Sequence, residues 1–278
     1  MIEEAVILLG GMGTRMLPYT KSVPKEMLPI YDVPNIFLLV NECYQSGIKK
    51  IIFVVTKHNI DIIKNFFSKD KYLNDFLKDK KDKQKLLDKV NLIINNMTFT
   101  YVYQELFGTY GALYSARKYI KNDNFIVMFG DDLIDSEVPI VKQLINSYKK
   151  NKKQQVAVYE YKDNLPSVGI AIVDEQNNLI NLKPSKETTS RLVIHGRMLL
   201  NKKIFGIKDK LTRHENNEYY LPYALLQFND IYAYKYNGNY FNIGERCGFI
   251  KASIYYALKD KNKDLKEYIN NIKENLNG

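Results

Sequence analysis

The sequence predicts an α/β fold: a doubly wound, mixed sheet with additional β hairpins and C-terminal helices. Three observations predict it. Apolar, strand-like runs alternate with helix-period segments through the first half, a glycine cluster follows the first run directly, and the second half changes to short strands divided by polar turns. Strand, helix, strand in this order implies parallel pairing with right-handed crossovers. In such sheets ligands sit at the carboxyl ends of the strands.

Taken in order, "AVILLG" reads as the first strand. "NIFLLVNECYQSG" has helical spacing and stops at Gly47, and "KIIFVVT" is the second strand. "IDIIKNFF" is a helix, and Lys69 to Lys89 forms a charged helical excursion. The strand "FTYVYQE", the helix "YGALYSARKYI" and the strand "NFIVMFGDD" complete the alternating half. Beyond it, "QQVAVYEYK", "GIAIVDEQNNLINLK" and "RLVIHGRMLL" read as short strands, with "DEQNN" as a hairpin loop. This region is expected to continue the sheet. Helices follow at "YYLPYALLQF" and, after "IYAYKYNGNYFNI", at the amphipathic tail "GFIKASIYYALKDKNKDLKEYINNIKENL".

Composition narrows the function. The 278 residues, 45% hydrophobic, suffice for a full core. No apolar run approaches the length that spans a bilayer, and Met1 leads directly into a strand, so a cytoplasmic protein without membrane contact is expected. Cys43 and Cys247 lack C-x-x-C or metal-ligand spacing and read as reduced thiols, and His58, His195 and His214 are not spaced as a zinc pair. A net charge of +10 raises the question of nucleic acid. Yet runs such as "FLKDKKDKQKLLDK" interleave aspartates with lysines, as a solvated helix face does, and no nucleic-acid partner is expected.

The most informative stretch is "LLGGMGTRMLP", Leu8 to Pro18. Residues without Cβ let backbone N–H groups point at a ligand, usually an anion. The dinucleotide fingerprint fails here: Gly11-Met12-Gly13 is followed by Thr14, Arg15 and Met16, and the next strand ends in Thr56 and Lys57 instead of an acid. The P-loop fails too, because Arg15 is followed by Met-Leu-Pro and Pro24 arrives soon after, so no helix opens there. What remains is a long extended loop in which Arg15, Lys21 and Lys25 can converge on one anionic site. Asp131 and Asp132 fall at the same edge of the sheet. A strand-end carboxylate preceded by Gly130 suits a hard cation that keeps waters and binds phosphate oxygens.

The longer stretch "GGMGTRMLPYTKSVPKEMLPIYDVPNI" resembles the N-terminal signature of the sugar-nucleotide pyrophosphorylases, G-x-G-T-R with a later P-K, in the form carried by bacterial UTP–glucose-1-phosphate uridylyltransferases. Weaker echoes run through most of the chain. The resemblance implies a Rossmann-like nucleotidyltransferase fold that joins UTP and glucose 1-phosphate into UDP-glucose and pyrophosphate with Mg²⁺, as a homodimer or homotetramer. It also implies one domain over 1–278: a nucleotide-binding half (1–135), a sugar-binding half (136–244), and C-terminal helices (245–278) available for subunit contact. By the same resemblance Arg15, Lys25, Asp131 and Lys183 carry the catalysis. Leu9, Gly10, Gly11, Gly13, Thr14, Gln104 and Gly111 bind the nucleotide, with Gln104 on the pyrimidine edge. Gly169, Gly196 and Glu218 face the sugar, and Asp131 and Asn242 hold Mg²⁺. The inventory suits the chemistry. A phosphate nucleophile is already ionised, so catalysis needs cations and positioning before it needs a base.

Four departures from the family pattern stand out. The usual V-E-K-P is Asn181-Leu182-Lys183-Pro184, and leucine accepts no hydrogen bond, so a sugar contact is missing or supplied elsewhere. The tyrosine before the family glycine is Val168, the segment "NNEYYLPYA" retains Glu218, Leu221 and Ala224 of its pattern, and the aspartate of D-x-G is Asn242. An amide oxygen still coordinates Mg²⁺, without the charge. These changes cluster on the sugar side while the triphosphate loop is intact. The expectation is an active uridylyltransferase; the alternative is a nucleotide-binding relative that has lost turnover and serves as a partner subunit.

Overall fold

The computed structural model describes residues 1–162, 165–166, 169–214, 217–260 and 263–276. In chain order the elements are β1 (Glu4–Leu8), β2 (Pro29–Ile30), β3 (Val33–Pro34), α1 (Asn35–Gln45), β4 (Lys50–Val55), α2 (Ile60–Phe66), α3 (Lys71–Leu77), α4 (Lys81–Asn96) and β5 (Thr98–Tyr103). They continue with α5 (Gly108–Ser115), β6 (Asn124–Phe129), β7 (Asp132–Asp135), α6 (Ile140–Asn151), β8 (Gln155–Glu160), β9 (Ile170–Val173), β10 (Leu179–Lys183) and β11 (Leu192–Asn201). The last are α7 (Leu221–Leu225), β12 (Tyr232–Lys235), β13 (Asn239–Asn242), α8 (Arg246–Lys259) and α9 (Lys263–Leu276).

Nine strands form one sheet, in the order β10-β9-β11-β6-β1-β4-β5, with β8 pairing β11 and β12 pairing β8. The expected parallel core is there: β1 runs parallel to β4, with Val6 opposite Ile52, and parallel to β6, with Val6 opposite Val127. The second half continues the same sheet through β11, antiparallel to β6, and the hairpin β9–β10 carries the expected polar loop. Helices cover both faces, so β1 is apolar without alternation from Ala5 to Leu8. Alternation decides only the side: Ala5 and Ile7 pack with Phe53, Met128, Leu39 and Leu144 on one face. Val6 and Leu8 pack with Val54, Val127, Leu113 and Leu221 on the other. No helix among the described residues is long and apolar enough to cross a membrane.

Several boundaries differ from the expectation. The charged excursion is two helices, because Asp70 caps α3 by accepting the Leu73 N–H at 2.9 Å, and α4 starts afresh after residues 78–80 and runs to Asn96. The helix at "YYLPYALLQF" shrinks to α7. The loop after β1 is not extended: it winds through three 3-10 turns, Thr14–Met16, Tyr19–Lys21 and Lys25–Met27, the first entered through left-handed Gly13 at φ 64°. One ribbon has no strong sequence signal. β13 lies antiparallel to β7, which sets Asn242 opposite Asp132.

Candidate active site

The site is built where β1 and β6 end. The Leu9 N–H extends the sheet by donating to the Val54 carbonyl at 2.8 Å, and its own carbonyl accepts from the Asn59 amide at 2.7 Å, which aims Gly10 and Gly11 over the strand ends. A side chain on either would meet a group of the site, severely at Gly10 and mildly at Gly11. A Cβ on Gly10 would fall 1.5 Å from Gln104 Oε1, and one on Gly11 would fall 3.3 Å from Lys25 Nζ.

Lys25 is carried into this opening by its 3-10 turn and sits 2.6 Å from Asp131 Oδ2, with only 11% of its side chain exposed. Burial opposes the lysine charge, but the Asp131 and Glu26 carboxyls together hold the ammonium above lysine's ordinary pKa. Burial likewise opposes ionisation of Asp131, and the Lys25 ammonium holds its carboxyl below the usual range. Beneath them Glu26 is fully buried, and burial pushes it up to about 7. Arg15 lies across the mouth, ion-paired with Glu245. The turn after β13 closes the group: the Ile243 N–H donates to the Asp131 carbonyl at 3.0 Å. A Cβ on Gly244 would lie 2.9 Å from Asp131 Oδ2, 3.2 Å from Asn242 Oδ1 and 3.2 Å from the Arg15 guanidinium. Two oxygen donors and a cation therefore converge on one point that glycine keeps clear.

Two cavities adjoin here. The first, about 460 Å³, is lined by Gly10, Gly11, Lys25, Gln104, Asp131 and Glu218. Gln104 donates to the Leu106 carbonyl at 2.7 Å, while its buried Oε1 has no hydrogen-bond partner among the described residues. The second, about 570 Å³, is lined by Asp132, Tyr161, Gly169, His195, Tyr240 and Asn242, among others. The β11–β8 pairing shifts register between Ile194 and Met198, an irregularity that releases His195 and Gly196 from the ladder next to this cavity. Behind them Arg197 is completely buried and bonded to Glu42 at 2.8 Å, tying β11 to α1. A larger groove of about 980 Å³ runs between α6 and the β7–β13 ribbon and holds none of these groups.

Residues 4–257 match the model of the nucleotidyl transferase family. The chain belongs to this family. It is 38% identical to the UTP–glucose-1-phosphate uridylyltransferase of Staphylococcus haemolyticus, with 98% of each chain covered. It is 37% identical to UTP–glucose-1-phosphate uridylyltransferase 2 of Staphylococcus saprophyticus, with 99% of each covered. Among solved structures it superposes on a UDP-glucose pyrophosphorylase complexed with UDP-glucose at a TM-score of 0.83 and 27% identity, covering 93% of this chain and all of that one. The UTP-bound enzyme from Acinetobacter baumannii superposes at 0.83 and 26% identity, covering 97% and 99%.

This nucleotidyl transferase brings Arg15, Lys25, Asp131 and Asn242 together, with Gly10, Gly11 and Gln104 on the wall beside them. Other residues singled out by sequence lie elsewhere. Lys183 ends β10 opposite Ile170 and lines neither cavity. The Leu9 side chain belongs to the core, Gly13 turns the chain against Thr20, and Thr14 is exposed. Gly111 is needed because a Cβ would strike the Leu106 carbonyl at 2.5 Å, so it supports the Gln104 loop from behind. Glu218 lines the cavity of Lys25 instead of the one with Gly169. Gly196 gives its N–H to Asp132 Oδ2 at 2.6 Å. Val168 lies outside the described residues. Leu182 packs in the core at 9% exposure, so its position cannot serve a sugar. Sequence reasoning left without a role Asp132, His195, Tyr240, Glu245 and Glu26. Only the doubled aspartate after β6 carried a signal for any of them.

Proposed function

We propose that this nucleotidyl transferase joins UTP and glucose 1-phosphate to give UDP-glucose and pyrophosphate. The observation that carries the reading is the Lys25–Asp131 pair, 2.6 Å apart and partly buried on the wall of a cavity that Gly10 and Gly11 also line. A lysine desolvated but held charged is suited to reacting phosphates, because two polyanions must meet there. The sugar phosphate needs no base. One of its oxygens bonds to the α-phosphorus of UTP in line with the departing oxygen, and the bond to the β-phosphate breaks, releasing pyrophosphate.

Lys25 neutralises charge at the α-phosphate, and the Gly10 and Gly11 backbone allows the triphosphate to approach. Arg15, once released from Glu245, meets the charge on the leaving pyrophosphate, a role for which its planar, permanently charged fork is suited. Gln104 lines the cavity, and its amide, once turned away from the Leu106 carbonyl and from Gly10, would offer Oε1 to N3–H of uracil, which cytosine cannot give. A divalent cation, Mg²⁺ in this reading, would be held by Asp131 and Asn242, whose Oδ2 and Oδ1 now accept from the Lys25 ammonium and the Gly244 N–H. Both are hard oxygen donors, and among the described residues no cluster of three or more His, Cys, Asp or Glu completes a shell without substrate oxygens. When bound, it would screen the phosphate charges.

The test is pyrophosphate release with UTP and Mg²⁺, with and without glucose 1-phosphate, beside a UTP titration. Release that requires the sugar phosphate supports the reading. Tight UTP binding with no release across a panel of sugar phosphates overturns it and leaves a nucleotide binder without turnover.

A further inference from the structure

The turn between β13 and α8 clasps the glycine loop in two places. Glu245 is ion-paired with Arg15, and the Arg246 guanidinium donates to the Leu17 carbonyl at 2.8 Å. The Arg15 and Glu245 side chains are 58% and 52% exposed, and an ion pair so open to water adds little to stability and is readily exchanged. The oxygen that accepts from Arg15, Oε1, also accepts from the Asn242 amide nitrogen at 3.2 Å. That contact decides which way the amide points. Its Nδ2 is turned to Glu245 and its Oδ1 to the Gly244 N–H at 3.1 Å, on the side of Asp131. Among the described residues Oε2 of Glu245 accepts no hydrogen bond, and the side chain does not cap α8. The Arg15 guanidinium thereby lies beside Gly244, where Asp131 Oδ2 and Asn242 Oδ1 also face, and is the cation of that point in the free chain. Asn242 brings an oxygen without charge, and the nearest carboxylate beside it is Glu245.

We propose that Glu245 serves two cations in turn. In the free chain it holds Arg15 beside Asp131 and orients Asn242. A nucleoside triphosphate then draws Arg15 onto its phosphates, and the carboxylate left behind joins Asp131 and Asn242 in holding a divalent cation. The exchange keeps the Asp131 and Glu245 carboxylates from sharing one small space uncompensated, which like charges oppose. The proposal rests on the reading that this cavity takes UTP, and it names the residue that couples nucleotide binding to the cation.

The probes are UTP and Mn²⁺. Calorimetric titration with UTP in the presence of a chelator reads the hold on Arg15. Glu245→Gln should bind UTP about two- to five-fold more tightly than wild type, because one exposed ion pair no longer has to be broken. In an Arg15→Ala background the same substitution should change UTP affinity by less than about 1.5-fold. Electron paramagnetic resonance of Mn²⁺ titrated into the UTP-saturated protein reads the second role. Its Mn²⁺ affinity should fall about ten-fold in Glu245→Gln, one anionic oxygen donor being lost, and should recover when Asn242→Asp is added to that variant. An unchanged UTP affinity in Glu245→Gln overturns the proposal. So does a gain that persists with Arg15→Ala, since that is plain repulsion between carboxylate and phosphates. Mn²⁺ affinity of the UTP complex within about two-fold of wild type also overturns it. A wild type that binds no UTP shows the parent reading to have failed before any variant is compared, and the proposal falls with it.

Discussion

Lys25 Nζ and Asp131 Oδ2 lie 2.6 Å apart although 106 positions separate them in the chain. A 3-10 turn brings one and the end of the central strand β6 brings the other. Each holds the other charged against burial.

Lys25→Ala should therefore lower kcat/KM about 10²- to 10³-fold, the scale of removing one preorganised transition-state contact. The fold should persist by far-UV circular dichroism. An unaffected rate would remove Lys25 from the mechanism.

Glu26 makes a prediction about pH. Burial lifts its pKa from 4.5 to about 7, so the folded chain holds this proton more tightly than the unfolded one. Its contribution to stability is fully present below about 4.5, is lost as pH rises toward about 7, and amounts to about 3 kcal/mol across that window. Asp131, with its lowered pKa, acts in the opposite sense on acidification, so the comparison must be with Glu26→Gln. The melting temperature of that variant should gain on wild type as pH rises and level off above about 7. A difference constant with pH would contradict the assignment.

Leu182→Glu should destabilise the protein by about 3 kcal/mol or more in urea denaturation, because it places an unpaired carboxylate in the core beside Leu179 and Ala171. Turnover with glucose 1-phosphate should not rise. A gain in turnover would mean that β10 turns this position toward the substrate.

Gln104→Leu removes the side-chain acceptor proposed for N3–H of uracil. UTP affinity should fall about ten-fold, and discrimination against CTP should relax, the unpaired base being left with an apolar neighbour. Competition titrations measure both. Discrimination unchanged from wild type would place base recognition elsewhere.

The buried Arg197–Glu42 pair joins β11 to α1 and stands directly behind Gly196. Glu42→Gln leaves Arg197 without its countercharge and should lower stability by about 3–5 kcal/mol. Thermal denaturation checks this, and a loss near zero would show the pair to be dispensable.

The sequence made the parallel half of the sheet plain, because β1, β4 and β6 are apolar on both faces and their helices carry an apolar stripe. It also marked Gly10, Gly11, Arg15, Lys25 and Asp131 as one site, since a loop that fits neither common phosphate motif still has to present its amides and cations somewhere. The second cavity was less legible for a physical reason. Its contributors come from the ends of β6 and β8, from β11 and from β13, and only the β7–β13 ribbon and the register shift in β11 bring them together. Lys183 and Leu182 show the same limit in reverse. Position along a motif did not reveal that one misses both cavities and that the other is buried.

The peptide bond between Asp131 and Asp132 acts as a watershed. The cavity of Lys25 lies on one side of it and the cavity of His195 and Tyr240 on the other, so the second basin can be recontoured without moving the first. A nucleotidyl transferase organised this way can exchange residues such as His195 and Tyr240 while Lys25 and Asp131 stay untouched.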